Sequence, residues 1–209
     1  MTTPAEAPRD PLLPRLEDEE DEAPKAPQFS PLQKELLDSR TILVHGPVSD
    51  KMAAAITAQA LVLEARDKKA PLTVWINSPG GAADSGFAIY DILRFVACPV
   101  RTIVSGLCAS AGILIALAGD DGMRFSMPGS RFMLHQPSTA GHGQASDLHI
   151  TAREIVKIKA RYNRIVAEVA KKKAEQVDED LSRDFWLSPI EAKEYGIVDR
   201  VLESRSDLD

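Results

Sequence analysis

The stretch "VRTIVSGLCASAGILIALAG" occupies residues 100–119 and contains the transition that decides the fold. Its first five residues form a short apolar run rich in β-branched side chains, which predicts a buried strand. Its last seven residues, 113–119, predict a helix. Between them, residues 106–112 carry a single hydroxyl, that of Ser110, among mostly small side chains. The stretch therefore predicts a tight strand-to-helix connection in which little shields Ser110.

Apolar strands and helical patterns alternate through the rest of the chain from residue 30 onward. Further strands are predicted at residues 41–46, 72–76, 131–134 and 197–201. The longest predicted helix covers residues 145–172 and has one apolar stripe. A short helix is predicted to begin at Ser188, with Glu191 completing a capping box, and to end at Gly196. This alternation predicts an α/β fold in which helices cover the strands.

Composition narrows the class of protein. The chain has 209 residues, enough for one domain. Residues 1–30 hold eight acidic and three basic residues and many prolines, so a disordered acidic tail is expected there. The nearly neutral remainder argues against nucleic-acid binding. With no membrane-spanning segment and no signal sequence evident, we expect a cytoplasmic protein without membrane association. Cys98 and Cys108 match no metal or disulfide spacing and are expected to be reduced and buried.

Three predicted loops follow strands, where α/β folds gather their functional groups. The loop after residue 76 offers the unshielded backbone N–H groups of Gly80 and Gly81. The loop after residue 104 offers Ser110, and the loop after residue 134 offers His135. A serine hydroxyl needs a base to become a nucleophile, and histidine titrates near neutrality. Among the four histidines, only His135 directly follows a predicted buried strand, so it is the candidate base.

Acyl transfer at a serine also requires N–H donors for the developing oxyanion. A helix that begins after Ser110 presents the amide of Ala111, and Gly81 can supply a second amide. The carboxylate that would orient the histidine stays open at this point between Asp147, Asp184 and Asp199. A structural reading also stays open, because a serine at a helix start commonly serves only as a cap.

Five motifs, taken together, resemble one known family. They are "INSPGG" (76–81), "GLCASAG" (106–112), "MLHQP" (133–137), "GQASDLHITAREI" (143–155) and "RDFWLSPIEAKEYGIVD" (183–199). In this order and spacing, the chain from residue 36 to residue 202 resembles ClpP, the proteolytic subunit of the ATP-dependent Clp protease.

The resemblance implies a triad of Ser110 as nucleophile, His135 as base and Asp184 as its carboxylate partner. It also implies that Gly81 and Ala111 supply the oxyanion-hole amides. The implied fold is the ClpP/crotonase-like α/β spiral of strand–strand–helix units, with a protruding long-helix handle near residues 136–172. The implied peptidase domain covers residues 31–205, followed by a short tail at 206–209.

The implied function is that of a self-compartmentalised serine endopeptidase that needs no cofactor or metal. Such subunits form two stacked seven-membered rings and cleave unfolded polypeptides delivered by an AAA+ unfoldase of the ClpX, ClpA or ClpC type. Two alternatives are a non-cleaving ring subunit and an acyl-CoA-processing crotonase relative. The chain departs from the family at Ala111, where methionine is usual, and at Ser182, where an acidic residue is common. Its N-terminal region also lacks the family's axial-loop pattern, which makes unfoldase docking less secure than peptide cleavage.

Overall fold

The computed structural model describes residues 30–138 and 143–208, which form an α/β structure. The strands are β1 Thr41–His45, β2 Leu72–Ser78, β3 Val100–Ala109, β4 Arg124–Ser126, β5 Arg131–Leu134, β6 Phe185–Leu187 and β7 Arg200–Val201. The helices are α1 Pro31–Asp38, α2 Asp50–Arg66, α3 Ala83–Phe95, α4 Ala111–Leu117, α5 Ala145–Ala170, α6 Ala174–Asp180 and α7 Pro189–Tyr195. The main sheet has the order β1-β2-β3-β4-β7, and all of its pairs are parallel.

Strand β3 belongs to two parts of the sheet at once. Its first half pairs with β2 and β4, and its second half pairs with β5, which in turn pairs antiparallel with β6. Between the halves, Gly106 has φ 108°, a conformation that favours glycine. The Asn77 side-chain oxygen accepts from the Leu107 N–H at 3.0 Å, where the β2–β3 register shifts. The strand predicted at 100–104 is therefore too short. The Asn77 side chain binds the backbone beyond Gly106, and β3 continues to Ala109.

The helices pack according to their apolar patterns. All seven residues of α4 are buried, as expected for a helix that is apolar all round. The 26-residue α5 is buried only in its C-terminal half, where Tyr162, Ile165 and Val166 face the core. The N-terminal half of α5 leaves Ile150 and Val156 more than half exposed. Helix α5 therefore joins the core at one end and projects an amphipathic surface at the other.

The expectation of an α/β fold is confirmed, and the capping residues predicted from the sequence mark both ends of α7. The capping box of α7 forms, with Ser188 N–H donating to the Glu191 carboxylate at 2.7 Å. Gly196 ends that helix in the left-handed region at φ 100°. The last strand is shorter than predicted, because residues 197 and 198 belong to the turn that closes α7.

The ends of the chain were predicted as tails. The predicted N-terminal tail lies outside the described residues except for Ser30. Near the C-terminus, Arg205–Leu208 form a 3-10 helix, and Leu208 packs against a small cluster containing Ile103 and Phe125. None of the helices in the described part of the chain is long and apolar enough to cross a membrane.

A buried ion pair joins β4 to the turn before β7. The Asp199 carboxylate accepts from Arg124 three times: from its backbone N–H at 2.9 Å, from Nε at 3.1 Å and from Nη2 at 2.7 Å. The Arg124 side chain is only 5% exposed, so its charge depends on this carboxylate for compensation.

We expect Asp199→Ala to lower the free energy of unfolding by about 2–4 kcal/mol, because it leaves a buried guanidinium without its main partner. Urea denaturation at fixed protein concentration measures this change. Asp38→Ala is the matched control, since it removes an exposed 2.9 Å pair with Arg66 and should cost about 0–1 kcal/mol. Equal losses of unfolding free energy in the two variants would show that the buried pair between Arg124 and Asp199 stabilises the fold no more than an exposed pair.

Candidate active site

Strand β5 brings the three candidate side chains together. It runs parallel to β3 with Ala109 opposite Met133, so each strand delivers its next residues to the same end of the sheet. It also runs antiparallel to β6 with Leu134 opposite Phe185. One step beyond that pair, His135 faces Asp184 across the two strands. Residues that are distant in sequence thus converge because the strand registers leave them adjacent.

Ser110 occupies the junction between β3 and α4 in a strained backbone conformation. Its φ of 53° and ψ of −122° lie outside the regions that L-residues prefer. Its N–H donates to the Met133 carbonyl at 2.9 Å, and its side chain makes no helix-capping bond. The hydroxyl is therefore not used as a cap, so the capping role left open by the sequence does not describe this residue. Such strain persists where the surroundings over-determine it, and it clusters at functional sites.

The histidine contacts the serine directly. His135 Nε2 lies 2.8 Å from Ser110 Oγ, a full hydrogen-bond contact. His135 Nδ1 lies 3.6 Å from Asp184 Oδ1, slightly longer than a hydrogen bond. The Asp184 side chain is 64% exposed, whereas that of His135 is 28% exposed. A shift of roughly 0.5 Å in the exposed carboxylate would bring this separation to hydrogen-bond length.

Glycine is required where the loop after β2 passes beside Ser110. A Cβ on Gly80 would lie 2.6 Å from the Ser110 Cβ and 2.7 Å from the Ala109 carbonyl oxygen. Gly80 also has φ 90°, a conformation that L side chains rarely adopt. Its N–H is not free, because it donates to the Ser78 hydroxyl at 3.1 Å. The prediction that the Gly80 N–H is available in this loop is therefore wrong.

The amides of Gly81 and Ala111 remain available within the described residues, since neither donates to a backbone or side-chain acceptor there. Gly81 is held by a bridge to Val48: the Val48 N–H donates to the Gly80 carbonyl at 2.8 Å, and the Ala82 N–H donates to the Val48 carbonyl at 3.0 Å. These bonds use the groups on either side of the Gly81 N–H and leave it unoccupied.

An apolar pocket opens beside the Ser110 hydroxyl. It is lined by residues of α3, α4 and α5 together with the segment after β5: Phe87, Leu114, Ile158, Tyr162 and Pro137. Ile158 and Tyr162 belong to the apolar stripe predicted over residues 145–172, and that stripe carried no sign of their contact with the site. Two residues before the serine, burial raises the pKa of the Cys108 thiol. That thiol therefore stays protonated and unreactive, and both cysteines are free and buried as expected.

The other candidates lie away from this cluster. His45 ends β1, while His149 and Asp147 lie on the exposed N-terminal half of α5. The Asp199 carboxylate accepts hydrogen bonds from Arg124. His142 lies outside the described residues. Of the three carboxylates left open by the sequence, Asp184 is the one that the structure places beside His135.

Two comparisons place this chain and its fold among known proteins. The sequence matches the Clp protease family over residues 24–205. The chain therefore belongs to the Clp protease family and is a peptidase of the ClpP type. A solved structure of a ClpP1 mutant from Listeria monocytogenes is similar to it with a TM-score of 0.79 and 39% sequence identity. That match covers 85% of this chain and 99% of the other, and it confirms the predicted fold class.

We expect Gly80→Ala to lower both the stability of the chain and the reactivity of the Ser110 hydroxyl, because the added methyl group displaces the Ser110 backbone. The loss should be about 2–4 kcal/mol, from strain at positive φ together with overpacking. Gly122→Ala is the control, because Gly122 has φ 79° but open space around its Cβ position. Thermal melting and fluorophosphonate labelling measure the two effects. Labelling of Gly80→Ala at the wild-type rate would show that the methyl group is accommodated.

Proposed function

We propose that this chain is the proteolytic subunit of a Clp-type protease, a serine endopeptidase with Ser110 as nucleophile. The observation that carries the proposal is the 2.8 Å contact between His135 Nε2 and the hydroxyl of a strained, uncapped serine. Membership of a peptidase family gives that contact its chemical meaning. Asp184, next to His135 Nδ1, favours the tautomer in which Nε2 can accept a proton.

The reaction follows from these positions. Ser110 Oγ attacks the carbonyl carbon of the peptide as His135 Nε2 takes its proton, and negative charge develops on the carbonyl oxygen. The Gly81 and Ala111 N–H groups would donate to that oxyanion. Collapse of the tetrahedral intermediate breaks the C–N bond, and His135 returns its proton to the leaving amine. Water, deprotonated by His135, then hydrolyses the acyl-enzyme and restores the serine.

The surroundings of Ser110 favour an apolar substrate residue. Phe87, Leu114 and Ile158 line the pocket beside the hydroxyl, and its described lining contains no Asp, Glu, Lys or Arg. Burying an apolar side chain there contributes binding energy in proportion to the area removed from water. Because Ala111 is small, this wall of the pocket is set back compared with a methionine at the same position.

The assembly and partners belong to the same proposal. We infer a homo-oligomer of two stacked seven-membered rings in the cytoplasm, supplied with unfolded polypeptides by an AAA+ unfoldase of the ClpX, ClpA or ClpC type. Family membership supports this inference. The projecting half of α5 supports it as well, because it leaves Leu148, Ile150 and Val156 exposed. Apolar side chains grouped on one exposed helix are typical of subunit contacts.

We expect Ser110→Ala to reduce hydrolysis of a short fluorogenic peptide by roughly 10⁴-fold or more, because the nucleophile is lost. Native mass spectrometry should show an unchanged assembly. A fluorophosphonate probe should label the wild-type chain at Ser110 and leave the variant unlabelled. A non-cleaving ring subunit would be unlabelled in both forms. An acyl-CoA enzyme of the crotonase type would hydrolyse thioesters independently of Ser110. Either result would refute the proposal.

We expect Asp184→Asn to lower kcat by roughly 10²–10⁴-fold, since the amide no longer stabilises the imidazolium or its required tautomer. KM should change little, because Asp184 lies on the far side of His135 from the pocket. Asp147→Asn, at another of the three carboxylates that the sequence left open, is the control and should retain wild-type kcat. Steady-state kinetics on the same peptide measures both variants. A normal kcat in Asp184→Asn would remove Asp184 from the mechanism.

A further inference from the structure

Tyr162 has a feature that the apolar stripe of α5 does not explain. Its side chain is buried, with 5% exposure, yet it ends in a hydroxyl. Buried phenols usually find a hydrogen-bond partner. Here the hydroxyl donates to the backbone carbonyl of Ser110 at 3.3 Å, a long and partly buried hydrogen bond. Burial raises the pKa of the phenol well above its ordinary value, so it stays a donor throughout the working pH range.

The carbonyl that Tyr162 contacts belongs to the peptide unit that joins Ser110 to Ala111. The C=O of Ser110 and the N–H of Ala111 lie in one rigid plane and point in opposite directions. Whatever holds the carbonyl oxygen therefore also aims the Ala111 N–H. Two groups hold it: the Ile113 N–H at 3.0 Å, from within α4, and the Tyr162 hydroxyl, from α5. Only the second of these anchors the peptide plane to a separate helix.

The same peptide plane is under strain. At φ 53° and ψ −122°, Ser110 can lower its energy by rotating toward an ordinary conformation. Such a rotation turns the Ala111 N–H and moves Ser110 Oγ relative to His135. A hydrogen bond from a buried ring, itself packed between α4 and the core, resists this rotation.

We propose that Tyr162 is a positioning residue that aims the Ala111 amide at the reacting oxygen by holding the Ser110 carbonyl from α5. The proposal rests on the proposed role of Ser110 as nucleophile. It assigns a part in the chemistry to a residue that touches the reacting atoms only through Ser110. Its effect belongs to the transition state, because the oxyanion exists only there.

The test is Tyr162→Phe, which removes the hydroxyl and keeps the ring that lines the pocket. We expect kcat for a short peptide to fall roughly threefold to tenfold, the rate equivalent of one lost neutral hydrogen bond. KM should stay within about twofold, because the apolar pocket is unchanged. The rate of fluorophosphonate labelling should fall by a similar factor, since that adduct also places an oxygen against the Ala111 amide.

Tyr195→Phe is the matched control. Its hydroxyl is also buried, and it donates to Asp180 at 2.8 Å rather than to the Ser110 backbone. We expect Tyr195→Phe to lower the melting temperature at least as much as Tyr162→Phe but to label at the wild-type rate. Equal slowing of labelling in both variants would reduce Tyr162 to a stabilising residue.

Two other results would overturn the proposal. Wild-type labelling of Tyr162→Phe would show that α4 alone aims the amide. A raised KM with unchanged kcat would place Tyr162 in substrate binding instead. Failure of the proposed function has a different signature: the wild-type chain itself would carry no label at Ser110, and the positioning role would fall with it.

Discussion

The strained backbone of Ser110 is the constraint on which the rest of the site depends. The chain leaves a ten-residue strand and enters a fully buried helix at this one residue, whose positive φ has an energetic cost of about 1–3 kcal/mol. The turn leaves no space for side chains around it. Gly80 lies so near the Ser110 Cβ that a methyl group would overlap it, and Gly86 packs within contact of Ala111 in the same way. Small residues in the loop after β2, in α3 and in α4 are thus a steric requirement of the backbone turn at Ser110.

The approach of His135 and Asp184 to that hydroxyl is a matter of strand register. Strand β5 is shared between a parallel partner and an antiparallel partner, so its end meets the end of β3 and the start of β6 together. A shift of one residue in either pairing would turn the imidazole to the other face of the sheet. Two polar side chains, the buried Ser130 and the exposed Asn77, hold the register locally. The Ser130 hydroxyl donates to the Val104 carbonyl at 2.9 Å, and Asn77 binds the bend in β3.

The two ends of the proposed catalytic triad differ in rigidity. Ser110 is held by β5, by α4 and by Tyr162, all within the core. Asp184 is exposed, but it lies between the buried Leu181 and Leu187, which fix its segment on either side. Helix α6, just before that segment, is tied to α5 by Asp178, which accepts from Asn163 at 2.8 Å and pairs with Lys159 at 2.7 Å. Helix α5 therefore contacts Ser110 through Tyr162 and contacts α6, which precedes Asp184, through Asn163. A movement of α5 would shift both Ser110 and Asp184.

The sequence by itself determined the α/β class, the main helices and the caps of α7, because these depend on side-chain periodicity and on residues three or four apart. It also singled out Ser110 and His135, since each follows a predicted strand. Resemblance to a family, rather than spacing, selected Asp184. Only the tertiary structure decided that β3 continues through Gly106 to Ala109, that the Gly80 amide is occupied and that Asp199 serves Arg124. Each of these depends on contacts between residues roughly 30 or more positions apart or on the accessibility of a backbone group. Local sequence patterns do not predict such contacts, because strand register and packing determine which residues meet.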